Sequence, residues 1–512
     1  MTTELEPDRQ NGRAGINSWD QPAGGPDAGP AWRRGPARES VGHARRRGGL
    51  LARHPAWPLV VMLAGYPLWW ALGIADYMFI VLAIPMAYRL RSWHRRAGRP
   101  LRLPPGFSLW LLFLICTLAG VVTLGLVAPD SVASPLGNRI ISWADRGASY
   151  AAVTVLLLFA GNLTGRELSR RRLAWLLGLV GIFAVIGGVL GVLLPHFQFT
   201  SPLALVMPRS FRSNTLVQSW LHPAFAQVQG VLGTAKGRPK APFDYTNDWG
   251  DCLSILLPWL LVAWGDTRRH RRRALAIIAV ALVPVVYSLD RGLWIGIGVA
   301  VVYLGCRFAA RGKTGLLAAI GAGFVVVVIA VLASPLHTII SERLANGNSD
   351  QIRSSLSSTA LKEALASPLI GYGDGRHVRG SANTISAGPT ANCIQCGQAD
   401  TGSNGQLWLL LVCSGFVGTG FYLAFFGYGI WRYRRDKTPY GMAGVLVLLL
   451  SFVYMFTYVA VVAPLAFTML AYALLWRNDT QLLNPDAETP TDLAAIAGRG
   501  GIRRPAAYRA LR

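Results

Sequence analysis

Arginines at the ends of apolar segments are the first residues in this sequence that could do chemistry. Arg291 stands between Asp290 and Gly292, where one apolar segment ends and the next begins. Because a guanidinium is always charged and can bind two phosphate oxygens at once, Arg291 is a candidate phosphate ligand. It could equally extend its charge to water or pair with Asp290. Arg146 is a second candidate for substrate binding, with an Asp145–Arg146 ion pair as the alternative.

The run from Lys236 to Asp251 combines cations, carboxylates, an amide and aromatic rings. We single out Arg238, Asp244, Asn247 and Trp249 as candidate substrate-binding residues. Aromatic faces pack against sugar rings, and Asp and Asn side chains accept or donate hydrogen bonds to hydroxyls. The mixture is therefore typical of a carbohydrate site, although an interfacial anchor with ordinary turn residues would have a similar composition.

Cysteines and histidines provide fewer candidates. Cys393 and Cys396 are separated by two residues outside the apolar segments and could close a small disulfide, whereas no βαβ pattern surrounds them to suggest redox activity. The remaining cysteines lie in or beside apolar segments. Each histidine outside these segments is a candidate proton acceptor, and each could equally be a plain loop residue. These histidines are His196, His222, His337 and His377.

The composition sets the class of protein that must position these residues. The chain has 512 residues, of which 52% are hydrophobic and 15% charged, against roughly a quarter charged in soluble domains. This excludes an ordinary soluble enzyme. Six cysteines without zinc-like spacing to histidine exclude a disulfide scaffold and predict no metal site. A net charge of +25 would suggest nucleic-acid binding in a soluble protein.

From Trp57 onward, apolar segments follow one another almost to the C-terminus, and most approach the roughly 20 residues that cross a bilayer. The sequence therefore predicts an all-α polytopic membrane protein with about 12 transmembrane helices. The first two segments could instead form a re-entrant hairpin. The predicted spans are Trp57–Gly73, Tyr77–Leu90, Phe107–Ala128, Ile140–Ala160, Leu173–Leu194, Cys252–Trp264, Ala274–Ser288, Gly292–Cys306, Thr314–Leu332, Leu407–Ile430, Met442–Tyr458 and Val461–Trp476.

The distribution of Lys and Arg predicts the orientation, because positive residues accumulate on the cytoplasmic side. Residues 1–54 form a disordered basic cytoplasmic tail without a signal peptide, residues 55–476 the transmembrane domain, and residues 477–512 a cytoplasmic C-terminal tail. Two long loops, about 195–250 and 333–406, are extracytoplasmic. Nearly all of the net charge of +25 then falls in the cytoplasm, so it reflects orientation, and we predict no nucleic-acid partner.

The second long loop contains a predicted helix. Asn348 or Ser349 can cap its start, and the Ser367-Pro368 pair ends it. Apolar residues recur near helical spacing, so the helix could lie on the membrane surface or pack against the outer rim of the protein. These apolar residues are Ile352, Leu356, Leu361 and Leu365.

The order of these features resembles the superfamily of bacterial O-antigen ligases and O-antigen or exopolysaccharide polymerases. Asp290-Arg291-Gly292 stands where that family has Ser-Arg-Gly, and a large outer loop follows between late spans. Within the loop, Arg353, Ala364 and Pro368–Gly373 are similar to the family's Arg, Ala and Pro-x-x-Gly-x-Gly run. The return to the membrane, Asn404 through Gly418, is similar to its His-Asn segment with a closing Gly-x-x-Gly.

The resemblance implies a GT-C glycosyltransferase of the bacterial cytoplasmic membrane. Such an enzyme takes a glycan from a polyprenyl diphosphate carrier, without a metal or other cofactor, and passes it to a glycan, lipid or protein acceptor. Arg291 and Arg353 would bind the diphosphate, and Tyr372 and Asn404 the substrate. The family's histidine is replaced by Asn404 or Ser403 here, so Asp400 or His377 would accept the proton instead.

Two other functions remain open from the sequence. A transporter or flippase for lipid-linked sugars would carry polar residues in mid-span and inverted repeats, neither of which is evident here. An inactive scaffold member of the same family would explain the missing histidine.

Overall fold

The computed structural model describes most of the chain outside its two ends and several loops. It is mostly helical, and the described β-structure consists of two short antiparallel hairpins, one in each long loop. The described residues are 54–96, 98–132, 134–208, 215–229, 236–265, 267–315, 318, 321–323, 325, 348–379 and 398–483.

The elements are numbered in chain order over the described residues. The first part comprises α1 (Trp57–Ala64), α2 (Tyr66–Leu72), α3 (Ala75–Arg96), α4 (Phe107–Ala119), α5 (Leu136–Asn162), α6 (Arg170–Leu193), α7 (Leu203–Val206), α8 (Thr215–Leu221), β1 (Ala226–Gln229) and β2 (Lys236–Pro239). The second part comprises α9 (Thr246–Trp264), α10 (Arg268–Tyr287), α11 (Arg291–Ala309), α12 (Asn348–Ala366), β3 (His377–Arg379), β4 (Gln398–Asp400), α13 (Gln406–Tyr433), α14 (Pro439–Tyr454) and α15 (Ala463–Leu483).

Three of these helices are long and apolar enough to cross a membrane, namely α6, α11 and α13. Helix α4 with its following 3₁₀ turn, and helix α14, are apolar but shorter. Several other predicted spans also form helices, whereas the ninth, Thr314–Leu332, lies largely outside the described residues. The helical class is thus confirmed, and the number of twelve crossings stays a prediction.

Helix starts follow local capping chemistry. The Ser169 hydroxyl accepts a hydrogen bond from the backbone N–H of Arg172, and Thr267 and Thr438 cap α10 and α14 in the same way. Asp290 caps α11, which is why that helix begins at Arg291. The capping rule therefore places Arg291 at a helix start, beside a carboxylate already held by the backbone.

The core is centred on the packing of α9 against α6. Glycines on α6 allow a close approach, since a Cβ at Gly178 would lie 3.0 Å from the Leu260 backbone and one at Gly188 would lie 2.6 Å from the Trp249 ring. Trp249 is fully buried there, and its indole N–H donates to the Ala184 carbonyl at 2.9 Å. Close packing of this kind holds the start of α9, and with it the predicted carbohydrate-binding run, in a fixed position.

Helix α12 confirms the predicted helix in the second long loop and settles how it packs. Leu356, Ala360 and Ala364 are buried, and the helix packs against α13, so it lies against the protein itself. Leu361 and Leu365 are 42% and 64% exposed, so these two residues of the predicted apolar stripe do not lie on the buried face, whereas Leu356 does. Ala360 and Ala364 are buried in their place, because alanines allow a closer approach of the two helices.

The turn after α12 docks into a kink in α13. Gly371, Gly373 and Gly415 all adopt positive φ, at 71°, 73° and 62°. A Cβ at Gly373 would lie 2.2 Å from the Gly120 carbonyl oxygen, and one at Gly415 would lie 2.6 Å from that of Pro368. Glycine is therefore required at these positions both for its backbone conformation and for space.

Candidate functional site

Three arginines gather around the start of α11. Arg291 is the first residue of that helix, Arg238 comes from β2, and Arg353 comes from α12. Arg238 and Arg353 are both close enough to Asp290 to shift its pKa through their charges. We call Arg238, Arg291, Arg353 and Asp290 the arginine cluster. It joins two arginines predicted to bind diphosphate to one predicted to bind sugar.

Asp290 organises this cluster. Its carboxylate accepts hydrogen bonds from the backbone N–H groups of Gly292 and Leu293 at 3.1 Å and 3.4 Å, and one from the Tyr458 hydroxyl. Burial raises the pKa of Asp290, whereas the Tyr458 hydrogen bond and the charges of Arg238 and Arg353 lower it. Burial likewise lowers the pKa of Arg238, and Asp290 raises it. Asp290 and Arg238 thus stabilise each other's charged forms.

Arg353 is tied to the loop after α14 and to the start of α13. One of its terminal N–H groups donates to the Thr457 carbonyl at 3.1 Å. The Asn404 side-chain amide donates to the Arg353 carbonyl and, at 2.7 Å, to the Ser357 hydroxyl. The backbone N–H of Gln406 donates to the Tyr458 carbonyl at 2.7 Å. Three separate segments of the chain therefore meet at Arg353. The other guanidinium N–H groups of Arg353 have no hydrogen-bond partner among the described residues.

His377 and Asp400, each a predicted substitute for the family histidine, form one pair. They face each other across the β3–β4 hairpin, and Nδ1 of His377 is hydrogen-bonded to the Asp400 carboxylate. This hydrogen bond raises the pKa of His377, against a smaller opposite effect of burial. Both side chains are substantially exposed, at 38% and 60%. Nε2 of His377 is therefore the nitrogen that can take a proton from a bound substrate.

The hairpin pair and the arginine cluster are linked through a short segment. Asp400 is four residues before Asn404, whose amide contacts the backbone of Arg353. Four residues span at most about 14 Å. The His377–Asp400 pair and Arg353 are therefore connected through a short backbone segment.

A pair of carboxyl groups lies where the first long loop enters α9. Asp76, at the start of α3, is hydrogen-bonded to Asp244, which also accepts from the Trp220 indole N–H at 2.7 Å. Burial raises the pKa of Asp244, and its hydrogen bonds to Asp76 and Trp220 lower it. Two carboxyl groups can hydrogen-bond to each other only when they share a proton. Asp248 is close enough to interact electrostatically with both Asp244 and Asp290.

A second set of arginines is buried beneath the hairpin. Arg146 forms an ion pair of 2.7 Å with Asp374, and not with its predicted neighbour Asp145. Arg376 is fully buried and donates to backbone carbonyls of Leu124, Leu126, Tyr372, Asp374 and Gly375. We call Arg139, Arg146 and Arg376, with Asp374, the buried arginine group. Its guanidinium groups fasten the loop to the strand-free segment after α4.

The structure separates the predicted substrate residues by accessibility. Asn247 and Asp244 are half-buried and can be reached, whereas Trp249 and Tyr372 are buried at 0% and 4% exposure. Trp249 was predicted as an aromatic sugar platform and instead belongs to the core. Tyr372 packs its ring against the Arg376 guanidinium, at 5.4 Å from the ring centroid. Asn404 is nearly buried, and its Oδ1 has no partner among the described residues.

Other candidates cannot be placed. Cys393, Cys396 and His337 lie outside the described residues. His196 and His222 are exposed and line a cavity in the first long loop. Within the described part of the chain, no group of three or more His, Cys, Asp or Glu residues could hold a metal ion.

Several residues of the site were missed at the level of sequence. Tyr458, Asp76 and Glu363 carry no local motif, and each reaches its partners through contacts between distant segments. Asp374 and Arg376 follow the Gly-x-Gly turn and lie just before His377. A polar cluster after a glycine turn was therefore the one usable sequence signal.

The chain matches no family model, and neither a curated protein nor a solved structure shows significant similarity to it. Its function is therefore indicated by the candidate site. The site combines arginines around one buried carboxylate with an exposed His–Asp pair, and the chain has apolar helices that could cross a membrane.

Proposed function

We propose that this protein is a membrane glycosyltransferase of the GT-C type, similar to O-antigen ligases and polymerases. It would transfer a glycan from a polyprenyl diphosphate carrier to an acceptor hydroxyl at the outer face of the bacterial cytoplasmic membrane. The observation that carries the proposal is the arginine cluster, in which Arg238 and Arg353 lie close enough to act on the charge of Asp290 and Arg291 follows Asp290 at the helix start. A surplus of positive charge at one place favours a ligand with several negative charges, such as a diphosphate.

The direction of α11 supports an outer location for this cluster. Arg291 begins the helix, and Arg307, Arg311 and Lys313 lie at or beyond its other end. A helix of 19 residues spans about 28 Å, close to the thickness of the hydrocarbon core. Because the basic end is expected in the cytoplasm, Arg291 would lie at the outer surface.

The exposed surface of the helices supports a membrane environment. Ile84, Ile295 and Val302 are large apolar residues that are 67%, 57% and 65% exposed. In water, apolar surface of this extent would be unfavourable, whereas in a bilayer it contacts lipid tails.

The proposed reaction assigns a task to each group. The acceptor oxygen forms a bond to the anomeric carbon, and the bond from that carbon to the diphosphate oxygen breaks. The leaving electron pair stays on the diphosphate, where Arg238, Arg291 and Arg353 stabilise the developing charge. The acceptor proton moves to Nε2 of His377, and Asp400 stabilises the imidazolium that forms. Because arginines supply the positive charge, the transfer would be metal-independent and persist in EDTA.

The test is the variant Arg291→Ala, assayed in proteoliposomes for glycan transfer from a polyprenyl diphosphate-linked donor. We expect transfer to fall by about 100-fold, the scale at which the loss of one charge-stabilising donor reduces turnover. Arg272→Ala is the matched control, because Arg272 is exposed near the start of α10, the end opposite the arginine cluster. Unchanged transfer by Arg291→Ala at equal expression would refute the proposed role.

The same assay separates transfer from transport. A transferase forms a new glycosidic bond and releases the polyprenyl diphosphate, whereas a flippase moves the intact donor across the bilayer. Recovery of intact donor on the far side, without a new bond, would instead favour the transporter. Absence of both would favour an inactive scaffold.

A further inference from the structure

The first long loop encloses a polar cavity of about 640 Å³ that the proposed reaction does not use. Its volume lies within the range of roughly 300–1,000 Å³ that is typical of small-molecule sites. The lining comes from the segment after α6, from α8, from β1 and from the residue after β2. The lining includes His196, Phe197, Gln198, Gln218, Gln227 and Lys240.

Lys240 is the feature that points to a ligand. Lys240 lines the cavity, yet the residue is only 7% exposed. Burial lowers the pKa of its ammonium group, and the charge of Asp244 raises it. No hydrogen bond from this ammonium to any described residue is present, and no ion pair forms with Asp244 within 4.0 Å. A nearly buried ammonium without a partner is costly, so the site is built to receive an acceptor group from outside.

The rest of the lining fits a sugar ring around that charge. Phe197 is 45% exposed and stacks its ring on Phe225 at 4.7 Å between centroids, so its position is fixed. Exposed His196 and Gln198 stand beside it at the mouth of the cavity. An aromatic face with amide and imidazole groups at its edge binds a pyranose ring and its hydroxyls.

The cavity is also connected to the arginine cluster. Gln227 uses its side-chain carbonyl to accept from the backbone N–H of Thr246 at 3.2 Å, which holds β1 against the start of α9. In β2, Arg238 lies two residues before Lys240, so the two cations are carried by one short segment. A ligand that occupied both places would be a chain of sugars leading away from a diphosphate.

We propose that this cavity binds a saccharide unit that carries a negative charge, either a carboxylate or a phosphate, with Lys240 as its counter-ion. The role of the cavity as a subsite for the transferred or accepting glycan rests on the proposed function. Binding of the charged saccharide does not, because it requires neither a lipid nor a diphosphate.

The test is binding of soluble sugars to the purified full-length protein in nanodiscs, measured by calorimetry. The probes are cellobiouronic acid against cellobiose, and glucose 6-phosphate against glucose. We expect the acidic member of at least one pair to bind at least about tenfold more tightly than the neutral member, the effect of one charge-assisted hydrogen bond. Which pair shows the difference distinguishes a carboxylate from a phosphate ligand.

Lys240→Met should abolish this difference, whereas Lys240→Arg should retain most of it. Lys362→Met is the matched control, because Lys362 is exposed on the second long loop, with its side chain 67% accessible. If Lys240→Met fails to fold, Gln198→Ala at the exposed mouth of the cavity should still weaken binding of the acidic sugar. Equal binding of acidic and neutral sugars by the unmodified protein, or an unchanged preference in Lys240→Met, would overturn the proposal.

The same measurement separates this inference from the proposed transfer. Arg353→Ala should leave sugar binding in the cavity intact while it reduces glycan transfer. Loss of the acidic preference in Lys240→Met, without any detectable transferase activity in the unmodified protein, would support the cavity and refute the reaction.

Discussion

The arginine cluster and the buried arginine group are held in opposite ways. In the buried arginine group, Arg376 donates to carbonyls of five residues and Arg146 pairs with Asp374. In the arginine cluster, the guanidinium of Arg353 makes a single hydrogen bond, to the Thr457 carbonyl, within the described residues. An arginine whose terminal N–H groups donate to several carbonyls fastens loops together, whereas one with terminal N–H groups to spare can bind a ligand.

The same contrast appears among the carboxyl groups. Asp290 is held by two backbone N–H groups and Tyr458, beside charges that favour its ionised form. Glu363 is fully buried on α12, and neither of its oxygens has a hydrogen-bond partner among the described residues. Burial raises the pKa of Glu363 to about 7, and the nearby Thr401 and Arg376 only partly offset this. Burial raises the pKa of both carboxyl groups, but Asp290 has hydrogen bonds and cations that offset this, whereas Glu363 has fewer and its pKa is raised to about 7.

The largest effect is expected for the buried arginine group, and it concerns stability. Arg376→Met would leave several carbonyls without a donor inside the protein. We expect the protein to lose about 4 kcal/mol of stability, the typical cost of removing one partner from a buried charged network. Thermal unfolding of the detergent-purified protein would measure it. Arg435→Met, at an exposed turn, is the control, and a melting temperature of Arg376→Met equal to that of the control would contradict the fastening role.

In the arginine cluster, Arg353→Ala should have the opposite effect, with activity lost and stability kept. Glycan transfer would fall by about 100-fold while the melting temperature stays unchanged, because few contacts are lost and a charge-stabilising donor is removed. Arg353→Lys keeps the charge and should restore part of the activity. A fall in stability equal to that of Arg376→Met would show that the two arginines do not differ.

Glu363→Gln tests whether the buried carboxyl acts against stability. The unfolded carboxyl titrates near 4.5 and the folded one at about 7. Between these values the folded protein holds the additional proton, so stability falls as pH rises and levels off above about 7. At pH 8, Glu363→Gln should therefore be more stable than the unmodified protein by about 2 kcal/mol. Melting curves of both proteins between pH 5 and 8 would measure this difference.

The control for this experiment is Asp130→Asn. Asp130 is 68% exposed and lies near Lys362, so its replacement should leave the pH dependence of stability unchanged. An identical pH slope in Glu363→Gln and in the unmodified protein would contradict the assignment.

The smallest effect is expected for the His377–Asp400 pair. The hydrogen bond from Asp400 raises the pKa of His377, so the neutral, proton-accepting form is lost as pH falls through that raised value. In Asp400→Asn, the acidic limb of transfer activity should move to lower pH, toward the ordinary histidine value of about 6.5. The pH profile of kcat/KM measures this shift. Movement to higher pH, or none, would exclude His377 as the proton acceptor.

Local chemistry was predictable from the sequence, and contacts between distant segments were not. The bounds of α12 follow from Asn348 at its start and Pro368 after its end, both of which are local signals. The helical class follows in the same way from apolar segments. The hairpins were missed because their strands have only three or four residues and pair across an intervening loop.

The site shows the same limit. Asp290 beside Arg291 suggested a neighbouring ion pair, and Asp145 beside Arg146 suggested another, because adjacent charges are the only partners a sequence displays. In the structure, Arg146 reaches Asp374, 228 residues away, and Tyr458 reaches Asp290, 168 residues away. His377 and Asp400 were both chosen for their chemistry, whereas their pairing depends on the register of β3 and β4.

The glycine docking between the turn after α12 and the kink in α13 has a consequence for biosynthesis. Its members, Gly120, Gly373 and Gly415, come from three distant parts of the chain. During translation, the segment around Gly120 therefore cannot dock until Gly415 has been synthesised. The region around this docking can assemble only then, so we expect nascent chains that stop before Gly415 to remain substrates for chaperones and proteases.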